Sequence, residues 1–151
     1  MDEKSDKELE YRIKTYGVCK DCQQPNTGTE WCNPCNAKRF KSEFDKWKSG
    51  KKEIDEFIQE VQLRAKSLFE FIEWIPFEKF ENVEYLDKGG FGTVYKATWA
   101  EGYIKWWNRK DQEWTRSGKD SWEGSKSVCL KSLNNSAYVT KEFFKEVGMM
   151  I

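Results

Sequence analysis

From Ile54 to Ile72 the apolar positions advance by three and four: Ile54, Phe57, Ile58, Val61, Ala65, Leu68, Phe69 and Ile72. Lys52, Glu56, Glu60, Arg64 and Glu70 fall on other faces, the pattern of an amphipathic helix with one buried side. A long helix is therefore expected over 49–75, between the Ser49-Gly50 break and Pro76. It would pack on its neighbours; a coiled-coil dimer is the alternative, on about three heptads without a strict seam. Upstream, Ala37, Phe40, Phe44 and Trp47 mark a short helix. Residues 1–15 are charged and irregular and read as a flexible lead-in, a frayed helix or a disordered segment. After Pro76 the period changes. Val83-Glu84-Tyr85-Leu86 alternates, Lys88-Gly89-Gly90 makes a turn, and Phe91 to Trp99 and Ser127 to Leu133 read as further strands. Thr140 to Val147 reads as the start of a helix. Between the last two strands, 100–126 holds Trp106, Trp107, Trp114 and Trp122. An extended hairpin is expected there, with a docking surface for a protein partner as the alternative.

Composition narrows the functional classes. Lys and Arg total 26, as do Asp and Glu, so no net charge draws the chain to nucleic acid or anionic lipid. The 10 Phe, 8 Trp and 6 Tyr supply large buried areas to a chain that is 34% charged. No apolar run approaches the about 20 residues that span a bilayer, and the charged first ten residues lack the apolar stretch of a secretory signal. No membrane association is expected. The expected location is the cytoplasm, where cysteines stay reduced unless a metal holds them. The 151 residues include no histidine, which removes Ser-His-Asp and Cys-His catalysis and mixed Cys/His metal sites.

Cysteines carry the first candidate chemistry. Cys19-Lys20-Asp21-Cys22 and Cys32-Asn33-Pro34-Cys35 give C-x2-C-x9-C-x2-C within a turn-rich segment. Two such knuckles can present four thiolates to one tetrahedral ion, as in closed structural zinc sites. Iron at the same thiolates is a second candidate, and four reduced cysteines or two disulfides are the alternatives without metal. With all four positions filled by sulfur, the metal would be structural and would supply much of the folding free energy of the loop. Lys38, Arg39 and Lys41 beside Phe40 raise a small nucleic-acid ribbon as a further reading, disfavoured against a solvated helix face.

A second motif lies in the strand-forming half. Leu86-Asp87-Lys88-Gly89-Gly90-Phe91-Gly92-Thr93-Val94 resembles the glycine-rich loop of protein kinases, with Asp87 in place of the first glycine. Val128-Cys129-Leu130-Lys131 resembles the strand that carries the kinase lysine, with Cys129 in place of alanine. Phe143-Phe144-Lys145-Glu146-Val147 resembles the helix whose glutamate pairs with that lysine. Glu142 is the other candidate there, but Glu146 borders the apolar side of the helix and Glu142 points away from it.

Taken whole, residues 16–147 resemble a fungal kinase-like family that places a four-cysteine knuckle and a long helix before the kinase domain. The resemblance implies an α+β chain: a lead-in at 1–15, a zinc knuckle with short helix at 16–48, the long helix at 49–75, and a partial kinase small lobe at 76–151 carrying the tryptophan-rich insertion at 100–126. The lobe would be an antiparallel sheet followed by the start of one helix. The resemblance further implies ATP binding, with Mg in a complete kinase. Leu86, Gly89, Gly90, Phe91, Gly92, Thr93 and Val94 would cover the nucleotide, Lys131 would orient its phosphates and Glu146 would hold Lys131. The H-R-D and D-F-G segments that complete a kinase do not occur in these 151 residues, so the chain by itself is expected to transfer no phosphoryl group and to bind ATP weakly. The reading from another class is a non-catalytic, zinc-dependent interaction module that uses the long helix or the tryptophan-rich insertion. A gene fragment without function is the third.

Overall fold

The computed structural model describes residues 2–90, 92–119 and 122–133. The described residues divide into two compact units, one ending at Trp74 and the other beginning at Ile75. Together they form an α+β chain with three α-helices, antiparallel sheets and a cluster of four cysteines.

The first unit begins with α1 (Glu3–Tyr16). Its start is capped by the Asp2 carboxylate, which accepts from the Lys4 amide, and its end by Gly17 at φ 72°, a left-handed conformation that glycine adopts without a Cβ penalty. The segment expected as a lead-in is thus helical through Tyr16. It is also tied down: the Arg12 guanidinium donates to the carbonyls of Pro25 (2.6 Å) and Asn26 (2.9 Å). α2 (Asn33–Glu43) starts four residues earlier than the apolar spacing indicates, with Cys32 as its cap residue and Pro34 in its first turn.

α3 (Lys52–Arg64) ends well before Ile75, the expected end of the long helix. Its buried stripe is Asp55, Ile58, Gln62 and, just past the end, Ala65. At Ala65 the backbone turns extended (ψ 120°), and three hydrogen bonds from two side chains take up the freed carbonyls. Trp31 Nε1 donates to Ala65 O at 3.0 Å, while Asn33 Nδ2 donates to Leu63 O and Ala65 O. Gln62 Nε2 then meets Ile72 O at 2.8 Å as the chain folds back. Leu68, Phe69 and Ile72 therefore lie in a return segment, and Phe69 is 82% exposed. The return delivers Phe71 to the core, stacked on Trp31 at 5.3 Å and tilted against Phe40 at 5.2 Å.

In the second unit, β1 (Phe80–Gly89), β2 (Gly92–Trp99) and β5 (Lys126–Leu133) form an antiparallel sheet in the order β1-β2-β5. The β1 register slips between Glu81 and Glu84 and again between Tyr85 and Asp87, the local extra residue of a β-bulge. Residues expected as an extended hairpin form a separate two-stranded sheet of β3 (Ile104–Asn108) and β4 (Glu113–Arg116). Trp107 and Trp114 are direct cross-strand partners, edge to face at 5.1 Å. The hairpin base closes on Ser117, fully buried, whose Oγ accepts from the Tyr103 amide at 3.1 Å. Gly102 sits so close that a Cβ would collide with Ser117 Oγ. No helix among the described residues is long and apolar enough to cross a membrane.

Candidate functional site

The first knuckle lies in a tight loop. An antiparallel bridge joins Val18 to Pro25, and the Cys19 amide donates to Gln24 O at 2.8 Å. Gln23, at φ 61°, turns the chain between them. A second bridge, Gly28 to Trp31, leads the chain into the first turn of α2, where Cys32 and Cys35 sit. Thr27 holds this approach by accepting from the Asn33 amide and donating to Lys66 O at 2.8 Å. Gly28 passes so near the Lys66 carbonyl that a Cβ would lie 2.8 Å from it.

The result is that the Sγ atoms of Cys19, Cys22, Cys32 and Cys35 all lie within 4.8 Å of one another. Cys19 and Cys35 are 3.9 Å apart and Cys22 and Cys32 3.6 Å, and all four are free thiols rather than disulfides. Such a cluster can hold a metal ion. Burial raises the Cys19 thiol, but the backbone N–H groups of Cys22 and Asp21 outweigh that and bring it to about 7. Burial pushes Cys32 far up and Cys35 to about 11, and neighbouring thiols add to both. One bare thiolate is tolerated and further ones resist ionisation; a cation among them reverses that order.

Of the basic residues after the knuckle, Lys38 and Lys41 are exposed and Arg39 is engaged in structure. Arg39 pairs with Asp21 and donates to Asn36 Oδ1 at 2.7 Å. Phe40, raised above as a nucleic-acid contact, is 3% exposed and packs against Trp31 and Phe71. Sequence reasoning missed Trp31 altogether. It is fully buried beside Cys32 and anchors the segment after α3 to the cysteine loop.

In the second unit, Gly89 pairs with Gly92 across the β1–β2 turn, Asp87 with Val94, and Val94 with Lys131. Asp87, Val94 and Lys131 thus form one row across three strands, because directly opposed residues share a face. Cys129, opposite Lys96, lies on that face and is exposed. Thr93, opposite Lys88, points to the other face, and Leu86 occupies the second bulge, half exposed. Gly92 has φ 155°, and a Cβ there would collide with the Ser132 carbonyl oxygen. Phe91 and Glu146, and with them the helix expected over Thr140 to Val147, lie outside the described residues. Comparison with known proteins finds no matching family model, no similar curated protein and no similar solved structure.

Proposed function

We propose that this chain is the front of a protein-kinase-like protein, with a zinc-held module preceding the nucleotide-binding sheet of a kinase small lobe. The observation that carries the reading is the row Val94–Lys131 beside the Gly89–Gly92 turn. Val94 offers an apolar platform for a purine and Lys131 a cation for phosphates. Adjacent strands are about 4.8 Å apart and residues rise about 3.3 Å each, so platform, ammonium and turn fit within the length of one nucleotide. Glycines at the turn let backbone amides approach phosphate oxygens where a side chain would block them. Leu86, Gly89, Gly90, Gly92, Val94 and Lys131 are the residues assigned to ATP.

Zinc fits the cysteine cluster. Four Zn–S bonds of about 2.3 Å in a tetrahedron separate the sulfurs by about 3.8 Å, and the measured 3.6 and 3.9 Å bracket that value. The four thiols fill the coordination sphere, so the ion serves folding rather than chemistry.

Millimolar Mg-ATP added to the isotopically labelled chain tests the nucleotide assignment by NMR, a method suited to weak binding. Shifts confined to 86–94 and 128–131, and abolished by Lys131→Ala, are expected. Shifts elsewhere, or none, would overturn it. Elemental analysis should find one zinc per chain, lost in Cys22→Ser.

The second reading, a non-catalytic interaction module, draws support from Trp122, 95% exposed, and Trp106, 41% exposed. It predicts a partner whose binding survives Lys131→Ala and fails when the hairpin tryptophans are replaced by alanine.

A further inference from the structure

The row that carries the nucleotide reading ends in a carboxylate. Asp87 is exposed on β1, directly across from Val94, which lies directly across from Lys131. Two strand spacings put the Cα atoms of Asp87 and Lys131 about 10 Å apart. The Asp87 Oδ1 accepts from the Lys88 amide at 2.8 Å, which fixes the carboxylate at the root of the glycine turn. It therefore takes up an amide at the edge of the region where a phosphate chain would seek donors.

The charges around it do not cancel it. Lys88 opposes Thr93 and so belongs to the other face. Lys96 shares the face but is opposed by Glu84. Glu81 stands opposite Thr98, at the far end from the turn. Next to the glycines, among the described residues, the strip carries Lys131 and, across Val94 from it, the carboxylate of Asp87. A phosphate chain reaching from Lys131 toward the turn amides approaches that anion with each added phosphate.

We propose that Asp87 makes this face select adenine nucleotides by charge, favouring the monophosphate and the magnesium complex over the uncomplexed triphosphate. The inference rests on the nucleotide reading of the sheet. At about 10 Å, each unit of phosphate charge meets a repulsion worth about twofold in affinity even in bulk water. Less screening at a protein surface raises the difference between the uncomplexed triphosphate and the monophosphate to about tenfold. Magnesium neutralises part of the phosphate charge and lessens the effect.

Asp87→Asn isolates the charge, because the amide oxygen still accepts from the Lys88 N–H. The labelled 151-residue chain and this variant would be titrated with AMP, magnesium-free ATP and Mg-ATP, following the amides of Gly92, Val94 and Lys131. In the unaltered chain, magnesium-free ATP should bind no tighter than AMP. In Asp87→Asn it should gain about tenfold relative to AMP at low salt, AMP itself tightening only severalfold. The gain should vanish toward molar salt, where the screening length falls to about 3 Å. An ATP-to-AMP affinity ratio that is the same in both proteins overturns the role of Asp87 and leaves the nucleotide site standing. Failure of every nucleotide to shift these amides in either protein overturns the site and the role of Asp87 together.

Discussion

In the first unit the buried side chains converge: Trp31, Phe40, Cys19 and Cys32 are all under 5% exposed, within one cysteine loop and the helix it begins. In the second unit the longest strand buries almost nothing. β1 is exposed from Glu81 to Gly89, leaving Val83, Tyr85 and Leu86 open, while Ala97, Trp99, Ile104 and Ser117 carry the burial. The contrast separates two sources of order. A loop of about 15 residues has too little apolar surface to fold on its own, and a metal at the proposed site would add what the core lacks. The sheet is ordered by its ladder and by tight backbone approaches, and this frees one face to present polar groups in a fixed row.

The contrast is broken most sharply at the cysteines. Chelation, or Cys22→Ser or Cys32→Ser, should remove the metal term, about 10 kcal/mol or more. Loss of helical circular dichroism and exposure of Trp31, seen as a red shift in its emission, are expected, while amide signals of β2 and β5 stay in place. Concerted loss of both units would show that the sheet depends on the metal as well, and the division drawn here would fail. Trp31→Ala comes next. A fully buried indole is worth about 3–5 kcal/mol, and its removal also takes one of the two side-chain hydrogen bonds that the Ala65 carbonyl accepts. Chemical denaturation of the zinc-loaded protein should show that cost in the first unit alone.

These two effects differ in how far they can be read from the sequence. The paired cysteine spacing announces a cluster of thiols able to hold a metal, because ligand chemistry restricts spacing directly. Trp31 lies in a loop of bridges and turns, where no helical or strand period exists to mark it as buried; its only signal is its place beside Cys32. The end of α3 was hidden for a related reason. Ala65-Lys66-Ser67 contains no glycine or proline, and the apolar steps run on through Ile72. What stops the helix is capture of its last carbonyls by Trp31 and Asn33, thirty or more residues away. β2 and β5 were legible as strands, but their direct pairing and the two bulges of β1 were not. One of them follows from Asn82 at φ 51°, a conformation asparagine tolerates and does not require.

A smaller effect tests what orders the sheet. Gly92→Ala places a methyl group against the Ser132 carbonyl, at a φ that L side chains rarely adopt. A cost of about 1–3 kcal/mol is expected, borne by the second unit. Hydrogen exchange should accelerate at the ends of β2 and β5 near Gly92 and Leu133, with the cysteine module unaffected. Unchanged protection there would mean that the close approach does not persist in solution and that the β1–β2 turn is free to open.

The smallest effect concerns the charges that tie the tryptophan hairpin to β5. Glu123 accepts from Lys105 at 2.7 Å, from the Tyr103 hydroxyl and from Lys126 at 2.9 Å. Lys105 first, then Tyr103 and Lys126, hold its carboxyl down to about 2 against an ordinary 4.5. Because the folded value is depressed, the stabilisation is fully present above 4.5 and disappears as the pH falls through about 2. Little of it should appear in unfolding, since partly exposed ion pairs contribute little net free energy. The carboxyl carbon shift of Glu123 should therefore titrate near 2, and Lys105→Met should move it toward 4.5 without a large change in stability. An ordinary titration in the unaltered protein would mean that the ion cluster is not held in solution. The hairpin base would keep its Ser117 and Gly118 bonds to Tyr103 and Glu101, and Tyr103 and Trp106 would lose the charged groups held beside them.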